Sequence, residues 1–147
     1  MLTIRPIRED DRAAWAPLWQ GYLVFYEATD LPAAVTERTW RRFFEADQPM
    51  AALVAEEDGQ LLGFAHYLFH LSPWAQTHYC YLEDLFTAPQ ARGKGVGRAL
   101  IEAVADAARA AGAERFYWMT QETNRTGQIL YDKIARKAGF IQYVKPL

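Results

Sequence analysis

The sequence has few of the features that mark several large classes of protein. Cys80 is the one cysteine among 147 residues, which excludes an intramolecular disulfide and a cysteine-based zinc site. No apolar run is long enough to span a membrane, because His66 or Arg98 interrupts them. The opening MLTIRPIREDD lacks the apolar core of a signal peptide. We therefore expect a single domain over residues 1–147, located in the cytoplasm and not bound to membranes.

The net charge of the chain is also close to zero. Lys and Arg number 16 and Asp and Glu 18, a formal charge of -2, so a basic surface for nucleic acid is not expected. This total conceals an uneven distribution. Residues 1–91 carry 6 basic and 13 acidic side chains, whereas residues 92–147 carry 10 and 5. The acidic front and the basic back predict that the two parts of the chain meet ligands of different charge.

Aromatic side chains, by contrast, are abundant. They make up 14% of a chain that is 51% hydrophobic, and 8 of them lie between Trp15 and Phe44. That density exceeds what one helix face usually buries. Whether these rings fill the core or partly line a cavity stays open at this stage. Exposed aromatics are also compatible with a homodimer interface.

The periodicity of apolar residues predicts the order β-α-α-β-β-β-α-β-α-β. Asp10 and Asp11 stand where the N-cap of the first helix is expected, and Thr36 is expected to cap the second. The last two elements are predicted as a helix over residues 124–138 and a strand over residues 140–144. This order is typical of an α/β or α+β fold with helices on both faces of a mixed sheet.

The segment after the fourth strand carries the strongest chemical pattern. Three glycines at alternate positions precede a helix that begins near Val96: Gly93, Gly95 and Gly97. Glycines and a helix start expose backbone N–H groups, which form an anion site suited to phosphate. Three cations surround them: Arg92, Lys94 and Arg98. Neither a P-loop nor a Rossmann fingerprint fits the spacing, because Gly95 follows Lys94 and Gly97 comes too soon.

Two motifs resemble those of the GNAT superfamily of acyl-CoA-dependent N-acetyltransferases. Its Gln/Arg-x-x-Gly-x-Gly/Ala motif fits this chain in two registers, from Gln90 and from Arg92. Its later marker, an Asn that opens a helix, then a Tyr and a Gly-Phe pair, is similar to Asn124, Tyr131 and Gly139-Phe140. The Gly-Phe pair stands roughly one helical turn later than in many relatives. The resemblance covers essentially the whole chain and implies a mixed sheet of six to seven strands flanked by about four helices.

The resemblance also implies acetyl-CoA as co-substrate, with no metal. Three backbone positions at the end of the fourth strand would pair with the pantetheine arm: Leu85, Phe86 and Thr87. The pyrophosphate would be held by the glycine loop and the helix start, namely Arg92, Gly93, Lys94, Gly95, Val96, Gly97 and Arg98. Asn124 would cap the last helix and contact the cofactor; a plain N-cap is the alternative.

Catalysis by such a fold needs a base and an acid. An acceptor ammonium must lose its proton before attack on a thioester, which costs about 4–5 kcal/mol at pH 7. Glu83 is the leading candidate for the general base, with a structural or substrate-binding carboxylate as its alternative. Strand alternation predicts that Asp84, which could exchange roles with Glu83, points to the opposite face. Tyr131 is the candidate acid that protonates the thiolate of coenzyme A.

The acceptor site is expected among the first two helices and the loop over residues 72–77. Its candidate walls and charges are Tyr22, Tyr26, Glu27, Trp74 and Asp84. Aromatic rings beside carboxylates suit a cationic amine. The Tyr-Leu-Glu-Asp-Leu-Phe run is similar to the polyamine and small-amine branch of the superfamily. We therefore expect a small-molecule acceptor such as a polyamine. The alternatives are acetylation of protein lysines or N-termini, and a non-catalytic acyl-CoA-binding module.

The three histidines and Cys80 are the remaining candidates for metal binding or catalysis. His66 and His70 share a strand face but lie roughly 13 Å apart, too far to ligate one metal comfortably. His78 is a candidate proton shuttle, with a surface position as the alternative. Cys80 has no evident histidine partner, so we expect it in the core rather than as a nucleophile.

Overall fold

The computed structural model describes residues 1–147 as one mixed sheet with helices on both faces. In chain order the elements are β1 (Thr3–Pro6), α1 (Arg12–Phe25), α2 (Ala33–Arg42), β2 (Met50–Glu57), β3 (Gln60–His70), β4 (Tyr79–Thr87), α3 (Val96–Ala110), β5 (Arg115–Trp118) and α4 (Arg125–Ile134). The strands lie in sequence order, antiparallel from β1 to β4, with β5 parallel to β4. The predicted class and four helices are confirmed, but the sheet has five strands rather than six to seven.

α3 covers one face of the sheet, and α1 with α2 covers the other. α3 buries the residues that recur at three- and four-residue spacing on one side: Val96, Leu100, Ile101, Val104 and Ala108. On the other face α1 buries Trp15, whose ring stacks on Trp19 at 5.7 Å. Trp40 of α2 lies 5.0 Å from Trp15. The tryptophans of the aromatic cluster therefore fill the core.

Asp11 closes the N-terminal corner of the fold in a way the capping pattern did not predict. It lies in a 3-10 turn before α1 and makes no side-chain cap to that helix. Its carboxylate accepts from the Arg8 backbone N–H at 2.7 Å and from both Arg5 Nη atoms at 2.8 and 2.9 Å. Arg5 Nε also donates to Glu56 at 2.7 Å. The buried ion pair thus ties β1 to the turn and to β2.

Three predicted features of the helix and strand ends are wrong. α2 begins at Ala33 rather than at a Thr36 cap, and the Thr36 hydroxyl accepts from Trp19 Nε1 at 3.0 Å. α4 ends at Ile134 instead of continuing to residue 138. Residues 140–144 do not form a strand, because no backbone hydrogen bond joins them to the sheet. No helix is both long and apolar enough to cross a bilayer.

Neutralising Asp11 is expected to destabilise the fold. Asp11→Asn should lower the free energy of unfolding by about 2 kcal/mol at pH 7, because Arg5 loses a bidentate charged partner. Hydrogen bonds from Arg5 hold the pKa of the folded Asp11 carboxyl below its usual value. The wild-type advantage should therefore shrink as the pH falls below about 4. Urea unfolding at several pH values measures both effects.

The control is Asp106→Asn, which breaks an exposed ion pair with Arg109. Because solvent screens this pair, the variant should lose under about 0.5 kcal/mol. Equal losses of stability in the Asp11 and Asp106 variants would contradict the role of the buried pair.

Candidate active site

The sheet opens at the point where β5 ends. β4 pairs with β5 only as far as Leu82, which lies opposite Trp118. β4 itself continues to Thr87 and remains paired with β3 there. Residues 83–87 therefore have a free backbone edge on the β5 side, where an extended ligand can add like a strand. The space beside β4 beyond its last pair with β5 is called the gap below. Leu85, Phe86 and Thr87, the positions predicted to pair with pantetheine, lie along the gap.

The glycine loop after β4 presents a row of unused N–H groups. Gly93 and Gly95 adopt φ values of 78° and 80°, the left-handed region that other residues rarely occupy. The backbone amides of residues 93–98 donate to no backbone carbonyl, and α3 begins among them. Lys94 and Arg98 are exposed beside the loop. The geometry matches an anion site at a helix start.

Arg92 is oriented by its own contacts at the mouth of the gap. Its Nε donates to the Thr87 carbonyl at 3.2 Å, and its guanidinium lies 5.6 Å from the Phe86 ring centre. These contacts hold a positive charge at the end of β4, between the gap and the glycine loop.

A β-bulge in β4 determines where the two acidic side chains point. Asp84 pairs with His66 of β3, and Leu82 pairs with Tyr67. Glu83 is therefore an extra residue without a partner on β3. The bulge lies at the residue that follows the last pair between β4 and β5.

The bulge places both carboxylates on the face that α1 covers. Tyr81 pairs with Leu68, which shares a β3 face with His66 and hence with Asp84. The Tyr81 phenol and the Asp84 charge both shift the pKa of the Glu83 carboxyl, so these three groups lie close together. The expectation that Glu83 and Asp84 point to opposite faces is therefore wrong, because the extra residue interrupts the alternation.

His66 is buried behind Asp84 and orients its carboxylate. The Trp15 indole N–H can only donate, and it donates to His66 Nε2 at 3.1 Å. The imidazole proton is therefore assigned to Nδ1, which lies 2.9 Å from Asp84 Oδ2 and donates to it. His66 is 2% exposed. The second carboxylate oxygen of Asp84 remains available to other donors.

Two tyrosines at the C-terminal end of α1, Tyr22 and the C-cap residue Tyr26, lie near the carboxylates. The rings of Tyr22 and Tyr26 lie 4.8 Å apart. Burial, followed by the charge of Asp84, raises the pKa of both phenols. Both phenols therefore stay protonated at neutral pH and can donate hydrogen bonds. These two rings line the site, unlike the tryptophans of the same cluster.

Glu83 has the electrostatic character of a proton acceptor. The residue is exposed as a whole, yet the protein atoms around its carboxyl raise its pKa by desolvation. The charge of Asp84 raises the pKa further, while the neighbouring Tyr81 phenol and His66 oppose the rise. A carboxylate with a raised pKa takes up a proton more readily than an ordinary glutamate.

Tyr131 enters the site from α4. Its ring meets Trp118 of β5 edge to face at 5.4 Å and 72°. Burial, with a smaller contribution from Tyr26, raises the pKa of the Tyr131 phenol. Tyr131 is therefore a protonated donor close to the α1 tyrosines, at the end of β5 where the sheet opens.

The remaining predicted residues do not join this cluster through contacts. Asn124 is the N-cap of α4: its Oδ1 accepts from the Gly127 N–H at 3.2 Å, and its Nδ2 donates to Thr120 at 2.9 Å. Glu27 is exposed just after α1, with φ at 55°. Trp74 is 90% exposed between β3 and β4 and makes no aromatic contact.

Sequence reasoning missed the positioning role of His66. It weighed the three histidines as a metal or catalytic set and did not pair His66 with a carboxylate. The available signal was a polar residue inside each of two apolar strands, at His66 and Asp84. Their pairing depends on the register of β3 against β4, which the pattern alone does not give.

Comparison with known proteins agrees with this geometry. The profile of the Acetyltransferase (GNAT) family matches residues 13–135. The D-amino-acid N-acetyltransferase HPA3 of Saccharomyces cerevisiae is 37% identical over 144 residues, covering 97% of this chain and 89% of that protein. The aminoglycoside N(6')-acetyltransferase type 1 of Klebsiella aerogenes is 31% identical over 130 residues, covering 82% and 80%.

A solved structure shares the fold over the whole chain. It is AAC(6')-Iy in complex with the bisubstrate analogue CoA-S-monomethyl-acetylneamine, with a TM-score of 0.86, 19% identity and coverage of 100% and 99%. The chain belongs to the acetyltransferase (GNAT) family. It is an acetyl-CoA-dependent N-acetyltransferase, as the two sequence motifs predicted.

Replacing His66 is expected to release Asp84. His66→Phe keeps a ring of similar size but removes both hydrogen bonds, so kcat/KM for the amine should fall by about 10-fold or more. The affinity for coenzyme A, measured by calorimetry, should stay within about twofold, because the glycine loop is unaffected. Trp15 also loses its acceptor, so the variant should unfold about 1–3 kcal/mol more easily.

The matched control is His78→Phe, since His78 Nε2 makes no hydrogen bond. This control should keep wild-type kcat/KM. If His66→Phe also kept full activity with its stability reduced, the histidine would be structural only.

Proposed function

We propose that this protein transfers the acetyl group of acetyl-CoA directly to a primary amine of a small cationic molecule, with a polyamine as the representative acceptor. The observation that carries the proposal is the bulge at Glu83. It brings two carboxylates to one face of the sheet, beside the gap suited to an extended cofactor and below two tyrosines. Negative charge beside aromatic rings favours a cation.

The cofactor side of the proposal rests on the fit between the gap and the loop. An extended pantetheine would hydrogen-bond along the free edge at Leu85, Phe86 and Thr87. The anionic pyrophosphate would lie on the free amides of residues 93–98, with Arg92, Lys94 and Arg98 around it. Asn124 would support this side through the start of α4. Acetyl-CoA supplies the acetyl group as a thioester.

The two carboxylates have different roles in this mechanism. Asp84, oriented by His66, would hold the ammonium through its available oxygen. Glu83, with its raised pKa and access to solvent, would accept the proton directly or through water. The amine nitrogen that results carries the lone pair needed for attack.

Tyr131 would act on the leaving group, the thiolate of coenzyme A. Its raised pKa keeps the phenol protonated at neutral pH, so it can donate a proton to the departing thiolate of coenzyme A. A covalent acetyl-cysteine route is not supported, because Cys80 is fully buried and burial raises its pKa to about 11.

The acceptor's identity is argued from charge. Glu27 and Trp74 would contact the acceptor from the rim, and the acidic front of the chain repels anions. A D-amino acid is the second candidate, because the relative that is 37% identical is named for that activity. Acetylation of protein lysines or N-termini would require a wider acceptor groove.

Glu83→Gln should lower kcat by about 100- to 10,000-fold, because the amine loses its proton acceptor. In the wild type, kcat/KM should fall at acid pH with a midpoint above that of an ordinary glutamate, about 4.3, since the folded pKa is raised. The variant should lack this acid limb. Asp84→Asn should instead raise KM for the amine more than it lowers kcat. The opposite pattern would assign the base to Asp84.

An acceptor panel tests the substrate class. Spermidine, neamine, a D-amino acid and a lysine peptide are compared with acetyl-CoA by thiol release. The polyamine should give the highest kcat/KM, and Glu27→Gln should lower it several-fold by removing one negative charge. Glu102→Gln, on the exposed side of α3, is the control and should change nothing. Preference for the D-amino acid or the peptide would contradict the polyamine assignment.

A further inference from the structure

Four polar rings form a patch across three neighbouring strands, called the ring patch below. It consists of His70 of β3, Tyr79 and Tyr81 of β4, and Tyr117 of β5. The centres of neighbouring rings lie between 4.8 and 6.3 Å apart. All four side chains are half-buried, so each keeps some contact with solvent. The mechanism proposed above gives no role to His70, Tyr79 or Tyr117.

Strand pairing puts the ring patch on the same face of the sheet as the two carboxylates. His70 lies four residues beyond His66 along β3, on the same side of the strand, and pairs with Tyr79. Tyr117 pairs with Tyr81, and their rings stack at 4.8 Å and 22°. The aromatic rings of α1 and α2 contact His66 but none of the ring patch. The ring patch is therefore a surface beyond the helices that an acceptor can reach.

The hydrogen bonds of His70 fix the direction of the Tyr117 hydroxyl. The Leu71 carbonyl can only accept, and His70 Nδ1 lies 2.8 Å from it, so the imidazole proton is assigned to Nδ1. His70 Nε2 is then an acceptor, and the Tyr117 hydroxyl donates to it at 2.7 Å. Both lone pairs of the Tyr117 oxygen remain available. Donation of its own proton makes that oxygen a stronger acceptor.

The charges around the ring patch favour a cation on one side of it. Burial, followed by the charge of Glu83, raises the pKa of the Tyr117 phenol, so the phenol stays protonated at neutral pH. Glu83 follows Tyr81 by two residues, a distance of about 7 Å along the strand. At the other end, the Arg115 guanidinium lies 5.0 Å from the centre of the Tyr79 ring and repels a second cation there. The favoured position is therefore beside Tyr117, between these two charges.

We propose that Tyr117, oriented by His70, binds the second ammonium of a diamine whose first amine lies at Glu83 and Asp84. The assignment rests on the proposed function and adds the part of the acceptor that the protein selects. An ammonium has three donors and no acceptor, which matches an oxygen whose own proton is already donated. A four-carbon diamine, with five bonds of about 1.5 Å each, is long enough to reach from the carboxylates to the ring patch.

The test compares putrescine with butylamine, which has the same carbon chain but no second ammonium. In the wild type, kcat/KM for putrescine should exceed that for butylamine by about 10-fold or more, the effect of one hydrogen bond to a charged group. Tyr117→Phe should remove this preference by raising KM for putrescine about 10-fold. Its kcat, and its KM for butylamine, should stay within about twofold of wild type. His70→Phe should act in the same direction, because the Tyr117 hydroxyl loses the acceptor that orients it.

The matched control is Tyr67→Phe, which removes a phenol from the opposite face of β3 and should leave the preference for putrescine unchanged. The acceptor 4-amino-1-butanol keeps a hydrogen-bond donor at the second end but carries no charge there, so it should behave like butylamine. If it matched putrescine, the subsite would recognise a hydroxyl, and the assignment of a cation would be wrong. A preference for putrescine that survived Tyr117→Phe would also overturn the proposal.

Calorimetry distinguishes failure of this subsite from failure of the proposed reaction. Putrescine is titrated into the full chain saturated with coenzyme A, where no acetyl group is transferred. Tyr117→Phe should weaken the binding of putrescine by about 10-fold. Equal binding by both proteins would overturn the subsite and leave the proposed reaction intact. Binding that depends on Tyr117 without any turnover of amines would keep the subsite and overturn the proposed function, and no binding at all would overturn both.

Discussion

The bulge at Glu83 is the constraint on which the site depends. In a regular strand, two neighbouring acidic residues point to opposite faces of the sheet. One of them would then point into the apolar side chains under α3. The extra residue removes that conflict and brings Glu83 and Asp84 together on the side of α1. Trp15 and His66 hold Asp84 from behind, and the Tyr81 phenol lies close to Glu83. The core thereby positions two carboxylates that would repel each other without these donors.

The same point of β4 is where the sheet opens. Glu83 directly follows Leu82, the last residue of β4 that pairs with β5. The carboxylates therefore lie at the apex of the gap, and the glycine loop lies at its far end after Thr87. This arrangement separates the acidic side chains of residues 1–91 from the basic side chains of residues 92–147. In the proposed mechanism the acidic residues face the amine, and the basic residues surround the loop for the anionic cofactor.

The cofactor side could be predicted from the sequence because it depends on local chemistry. Glycine spacing and a helix start define an anion site without knowledge of distant contacts. Other features of the site could not be predicted from the sequence, because each depends on register between strands far apart in sequence. These features are the bulge, the His66–Asp84 pair and the end of β5. The apolar pattern over residues 140–144 predicts a strand that does not form, because no backbone hydrogen bond joins these residues to the sheet.

The most direct test of the account is a crystal structure with coenzyme A and a polyamine bound. The account predicts pantetheine along the free edge of residues 85–87 and the amine nitrogen within about 3.2 Å of Glu83 or Asp84, on the α1 face. The sulfur should lie near the Tyr131 hydroxyl. An amine bound on the α3 face, or a cofactor outside the gap between β4 and β5, would contradict it.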